Sequence, residues 1–244
     1  MGEPLLELRD VRAHYGAIEV LHGIDLAVDA GSVLAVLGPN GAGKTTMLRV
    51  ISAMVAPTSG ELVMGGRVLN GVDAGDLARA GVCTVPEGRA VFPNLSVREN
   101  LWLTTCTVAV GGRQAARRRA VEDVAFAYFP RLADRRNELA GNLSGGEQQM
   151  LAMARAIATR PGLLLLDELS MGLAPIIVDQ LFTTVGRLAA EGIAIIIVEQ
   201  FATAVLDLAD RAVLVDNGRI RAAGSPDTIR HRLRDAYLGE EVQL

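Results

Sequence analysis

The sequence predicts an α/β protein: a mixed, largely parallel sheet packed by helices, an antiparallel β layer ahead of it and an inserted α-helical subdomain. Three observations carry this. "SVLAVLG", "LLLLD" and "IAIIIVEQ" are unbroken apolar runs of strand length, as strands buried on both faces require. Helix-period segments alternate with them, a βαβ rhythm that calls for parallel strands and right-handed crossovers. Between residues 88 and 159 the pattern turns helical almost throughout.

In chain order, the first thirty residues give short alternating runs, "LLELRDV" and "IEVLHGIDLAV", punctuated by Gly16, Gly23 and Gly31, which read as antiparallel strands. "SVLAVLG" is a buried strand, followed by a glycine loop and an apolar-periodic helix from about Lys44 to Met54. "GELVMGGRVL" and "VCTV" return to strands. Helices are expected near Ser96 to Cys106, Gln114 to Phe129 and Glu147 to Thr159. Strand "LLLLD", helix "IIVDQLFTTVGRLAAEG" and strand "IAIIIVEQ" then restore the βαβ rhythm. Asn217-Gly218 between alternating residues marks a hairpin, and Ser225-Pro226 caps a last helix. One domain is expected over 1–244, with a core from 1–87 and 160–244 and a helical lobe from 88–159.

Composition narrows the function. The 244 residues are half hydrophobic, enough for a large core, and carry net charge −4 from 24 basic and 28 acidic residues, which argues against a nucleic-acid binder. Arg113, Arg117, Arg118 and Arg119 cluster on one expected helix and read as a solvated face or a partner contact. Cys83 lies in an apolar strand-like run and Cys106 in a helix-like run, which fits a reducing compartment and inert core residues. The opening "MGEPLLELRD" lacks a signal-peptide pattern, and Leu6 stands where a myristoylation motif wants Ser or Thr. No apolar run approaches the ~20 residues of a membrane span, so no direct membrane insertion is expected and any membrane role comes through a partner. His14, His22 and His231 have no metal-like spacing with the cysteines, and Trp102 reads as packing in the lobe.

"GPNGAGKTT", Gly38 to Thr46, matches G-x-x-x-x-G-K-[ST] between a strand and a helix. Gly38, Gly41 and Gly43 let the backbone turn tightly, so that the N–H groups of this loop, which also includes Pro39, Asn40, Ala42 and Thr46, point at phosphate oxygens. Lys44 reaches the β- and γ-phosphates, and the Thr45 hydroxyl ligates Mg²⁺. A carboxylate on a neighbouring strand completes such a site. Asp167 ends the run "LLLLD" as metal acid, and Glu168 follows it, free to polarise a water at the γ-phosphate. The chain therefore predicts a P-loop NTPase core.

"LSGGEQQM" has three readings. It can be a plain helix start, since Ser144 and Glu147 form the S-x-x-E capping box. It can be a second phosphate site, with Gly145 and Gly146 clearing space at the helix amides. It can also cover the γ-phosphate of a nucleotide held by another subunit. The first leaves two glycines unexplained, and the second lacks its own lysine and metal acid.

At these residues the chain resembles the ATP-binding cassette family: "LSGGEQQ" matches that family's signature and falls between the P-loop and "LLLLDE" as the family requires. The resemblance covers essentially the whole chain and favours the third reading. It implies head-to-tail cassettes with ATP between the P-loop of one and Ser144 to Glu147 of the other. It also implies an adenine-stacking role for Tyr15, a metal-sensing role for Glu87 at the usual glutamine position, and a switch role for Gln200 where a histidine is common. Leu169 stands where proline is common and Ala174 where an aspartate is common. Freed from a following proline, Glu168 is no longer confined to extended backbone.

"VPEGR", "GLAP", "VEQ" and a terminal "AYLG" are similar to the smaller ATP-binding subunits of bacterial branched-chain amino acid importers. Related cassettes serve urea and short amides, and others act outside transport. The resemblance implies catalytic Glu168, Gln200 and Lys44, with ATP and Mg²⁺ bound. Its partners are a second cassette (another copy or a sister subunit), transmembrane permease subunits docked near Glu87 to Pro93 and, indirectly, a solute-binding protein. The expected place is the cytoplasmic face of the bacterial inner membrane. A translation or repair ATPase, a GTPase and a kinase are the rivals. The second cassette or long coiled-coil insertion usual in the first is not seen in the sequence, no N-K-x-D occurs, and neither a GTPase nor a kinase explains "LSGGEQQ".

Overall fold

The computed structural model describes residues 3–88, 90–106, 113–200 and 203–238. Its frame is three strands buried along their entire length: β3 (Val33–Leu37), β7 (Leu163–Asp167) and β8 (Ala194–Glu199). With β6 (Val82–Val85), β9 (Arg211–Asp216) and β10 (Arg219–Gly224) they form a six-stranded sheet in the order β10-β9-β3-β8-β7-β6. All neighbouring pairs are parallel except β9 and β10. The hairpin at Asn217-Gly218 forms because both residues take left-handed backbone, φ +46° and +69°.

A second, antiparallel sheet has the order β2-β1-β4-β5, from β1 (Leu6–Tyr15), β2 (Ile18–Val28), β4 (Ser59–Met64) and β5 (Arg67–Val68). Leu6, Leu8, Val11, Leu21 and Ile24 from it pack with α1 (Lys44–Ile51) and with Leu34, Leu165 and Ile196 of the large sheet. The opposite face of the large sheet carries α3 (Val97–Trp102), α4 (Gln114–Tyr128), α5 (Pro130–Asp134), α6 (Gly145–Ala158) and α7 (Pro175–Ala190), through a continuous apolar cluster from Val97 and Leu101 to Leu164 and Ile195.

Several elements depart from the sequence expectation. The first helix stops at Ile51 rather than Met54, because Ala53 turns to φ +56° and the N–H groups of Met54 and Val55 fold back onto the Arg49 carbonyl. The segment expected as one helix to Cys106 is helical only to Trp102 and tightens to a 3₁₀ turn at Leu103–Cys106. Helix α2 (Ala74–Arg79) was not expected; Asp73 caps it, accepting from the Gly75 N–H at 2.7 Å. Two further short helices, α5 and α8 (Thr203–Leu206), also went unread, and α9 (Pro226–Leu238) closes the described chain. Asp167 is not on the strand beside β3: β8 lies between β3 and β7. Arg89 of "VPEGR" and Gly239 of "AYLG" lie outside the described residues.

Trp102 does more than pack. Arg98 and Arg118 stack on its ring at 4.7 and 4.2 Å from the centroid, and its indole N–H donates to Glu122 at 2.7 Å.

Candidate functional site

The P-loop follows β3, where Leu37 is the last buried strand residue. At Gly38 a side chain is impossible: its Cβ would stand 2.0 Å from the Val215 carbonyl oxygen on β9. Gly43, the residue before α1, takes φ +101°, which glycine adopts without strain. The hairpin turn braces the loop from outside, the Gly218 N–H donating to the Ala42 carbonyl at 2.9 Å.

The ammonium of Lys44, 4% exposed, is folded into this loop. It donates to the carbonyls of Gly38 at 2.8 Å and Pro39 at 3.0 Å and lies 3.7 Å from Glu168. The Thr45 hydroxyl donates to Asp167 at 3.3 Å, across β8. Burial pushes the Asp167 carboxyl up from its ordinary value; the Thr45 hydrogen bond and Lys44 oppose this, while the charges of Glu168 and Glu87 add to it.

A cavity of ≈ 350 Å³ is lined by Asn40 to Thr46, Glu87, Glu168 and Met171. It therefore brings together most residues predicted for one phosphate site. Others lie elsewhere. Tyr15 is 41% exposed on β1, its hydroxyl accepting from Arg49 at 3.2 Å, and Gln200 is exposed just past β8. Neither lines the cavity, and none of Ser144, Gly145, Gly146 or Glu147 does.

Ser144 and Glu147 make a full capping box at the start of α6. The Glu147 N–H donates to the Ser144 hydroxyl, whose own proton goes to the Glu147 carboxylate at 2.7 Å, and the Ser144 N–H reaches the same oxygen at 2.9 Å. Arg135 holds the other oxygen at 3.3 Å. Gly146 serves packing: a Cβ there would stand 2.9 Å from Ile177 of α7. The expectation that both glycines clear space for an anion is therefore corrected for Gly146, whose empty side is filled by another helix.

Four functional-looking groups escaped the sequence reading. Glu199, 2% exposed at the end of β8, accepts from the Ser170 N–H at 2.9 Å and from its hydroxyl at 2.7 Å. Asn100, fully buried, ties the 92–96 segment together by accepting from the Phe92 N–H and donating to the carbonyls of Phe92, Leu95 and Ser96. Arg155 of α6 donates to the Ala90 carbonyl at 2.5 Å and lies over the Phe92 ring. Tyr128 of α4 donates to Glu191 at the end of α7, with Arg187 over its ring. An acid closing the apolar run "IAIIIV" was the one available signal, for Glu199; the other three depend on distant partners.

The profile of one family, described as ABC transporter, matches residues 21–170. This chain belongs to that family. The high-affinity branched-chain amino acid transport ATP-binding protein BraG of Pseudomonas aeruginosa is 41% identical over 96% of this chain and 100% of its own length. The glutamine transport ATP-binding protein GlnQ of Escherichia coli is 33% identical over 98% of this chain and 99% of its own. Among solved structures, a nucleotide-free ATP-binding cassette from an ABC transporter superposes with a TM-score of 0.87 at 23% identity, over 98% of both chains. The ABC cassette described here is thus an ATPase, the ATP-binding subunit of an importer. Cassettes of the family dimerise and work with transmembrane permease subunits. Among the described residues no helix is long and apolar enough to cross a membrane.

Proposed function

We propose that this cassette hydrolyses Mg-ATP in a head-to-tail pair and drives uptake of branched-chain amino acids through separate membrane subunits, held at the cytoplasmic face of the inner membrane. The observation that carries the reading is the division of the site. One cavity collects Asn40 to Thr46, Glu87 and Glu168, while the Ser144 cap stands outside it with Ser144 itself exposed. Greater identity to BraG than to GlnQ favours branched-chain solutes over glutamine. The exposed Phe92, backed by Arg155, supports docking of a permease at 87–93.

In this reading Asn40 to Thr46 wrap the phosphates with backbone amides and Lys44 trades its loop carbonyls for the β- and γ-phosphates. The residues fit a magnesium ion: Thr45 meets Asp167 at 3.3 Å, burial and the neighbouring charges of Glu168 and Glu87 leave the Asp167 carboxyl short of positive charge, and Thr45, Asp167 and Glu87 would supply its oxygens. That ion would neutralise the charge building on the phosphates. Glu168 orients the attacking water and accepts its proton. Tyr15 stacks on adenine, Gln200 donates an amide N–H to the γ-phosphate, and the partner's copy of the Ser144 cap closes the far side. The 88–159 segment acts as the lobe that carries this cap.

The test is Glu168→Gln. Binding of ATP should persist, hydrolysis should fall by about 10³-fold or more and an ATP-dependent dimer should accumulate on size exclusion. Turnover within a few-fold of the parent removes Glu168 from the reaction. Reconstitution with the co-purifying permease subunits, in vesicles supplied with leucine, urea or glutamine, decides the solute.

A further inference from the structure

We propose that Glu199 is a positioning residue for hydrolysis, acting through Ser170 to hold the turn that aims Glu168 at the phosphate cavity. The inference rests on the catalytic reading of Glu168.

Glu168 has φ +47°, a left-handed backbone that non-glycine residues seldom keep unless their surroundings enforce it. What enforces it comes from the end of β8. The Glu168 N–H donates to the Val198 carbonyl at 2.9 Å, and the next strand residue, Glu199, takes both the N–H and the hydroxyl of Ser170. The turn then closes on itself, the Met171 N–H reaching the Glu168 carbonyl at 3.4 Å, and Leu169 anchors it with 1% exposure.

A carboxylate as buried as Glu199 is costly unless its oxygens are satisfied. Here each oxygen has a donor from one residue, two positions past Glu168, and neither lines the cavity. Its chemistry is therefore directed at the turn rather than at the nucleotide. Glu199 also precedes Gln200, so the turn is tied to the chain beside the proposed switch residue. Leu169 permits the turn, since a proline there would push Glu168 to extended backbone, and the two Ser170 bonds hold it.

The experiment measures ATP turnover of the full-length chain carrying Ser170→Ala, Ser170→Thr, Glu199→Gln and the Ser170→Ala/Glu199→Gln pair, with Glu168→Gln alongside and thermal unfolding as a check on folding. Ser170→Ala is expected to lower kcat about 10-fold with KM for ATP within about 2-fold, the signature of lost transition-state alignment. Ser170→Thr, which keeps both donors, should restore at least half of kcat. The double variant should be no slower than the worse single one, since both remove the same link. A folded Ser170→Ala at parental kcat, a Thr variant as slow as Ala, or a KM rising in step with the loss of kcat overturns the latch. If Glu168→Gln itself turns over normally, the parent reading fails instead. If Glu168→Gln is inactive while Ser170→Ala is not, only the latch is wrong.

Discussion

Ser144 sits at the junction of stability and function, and Ser144→Ala separates the two. In the free chain its hydroxyl accepts from the Glu147 N–H and donates to the Glu147 carboxylate. Losing a serine cap costs about 1 kcal/mol. At ~2.1 cal/mol/K per residue the unfolding entropy of this chain is about 0.5 kcal/mol/K, so Tm should drop by roughly 2 °C. The loss carries a pH signature. Burial alone would raise the Glu147 carboxyl, but the Ser144 hydroxyl and N–H, with Arg135 and Arg131, outweigh it and hold the group below its ordinary 4.5. A lowered carboxylate stabilises the fold above the unfolded value and loses that contribution as pH falls through the folded one. The Tm gap between parent and variant should therefore narrow as pH drops below about 4.5. Hydrolysis should fall much further, by about 10²-fold or more, if the hydroxyl meets a transferring phosphate across the dimer. Binding of a fluorescent ATP analogue to the isolated chain should be unchanged. Loss of that binding, or a Tm gap that does not respond to acid, refutes the reasoning.

Other expectations can be checked on the same samples. Ala174 occupies an N-cap geometry, φ −67° and ψ 143°, before Pro175 with no side-chain bond, so Ala174→Asp should add about 1 kcal/mol and raise Tm by roughly 2 °C. Burial, then the contact with Glu191, pushes the Tyr128 phenol up to about 12, so its contribution to stability is intact below its ordinary value of 10.0 and is lost as pH rises through 12. Tyr128→Phe should cost about 1 kcal/mol near neutrality, and the ultraviolet phenolate titration should lose a step near pH 12. Between about pH 6 and 7.5 turnover should show no step that Gln200→Ala abolishes, because an amide does not titrate there.

The β frame was legible because β3, β7 and β8 are buried on both faces, so that β3 is apolar throughout and β7 and β8 carry no polar residue until their last position. The P-loop, Asp167 and Glu168 were legible for a related reason: a glycine loop and two acids at strand ends are local patterns. Short helices such as α2 and α5 escaped because one cap or one proline is a weak signal beside a long apolar period. The β8 strand between β3 and β7 was invisible since strand order depends on pairing, not on the order of residues. Gly146 was misread because its neighbour, Ile177, is thirty-one positions away, and the Glu199 to Ser170 link spans 29.

Arg155 gives α6 a handle. Between it and Ser144 the helix rises about 16 Å. With Arg155 hydrogen-bonded to the Ala90 carbonyl, a displacement of residues 90–92 that the helix followed as a rigid body would tilt it. Ten degrees of tilt sweeps the serine end through about 3 Å on that 16 Å arm, one hydrogen-bond length. A stroke of that size would be enough to make or break a single contact at the serine end.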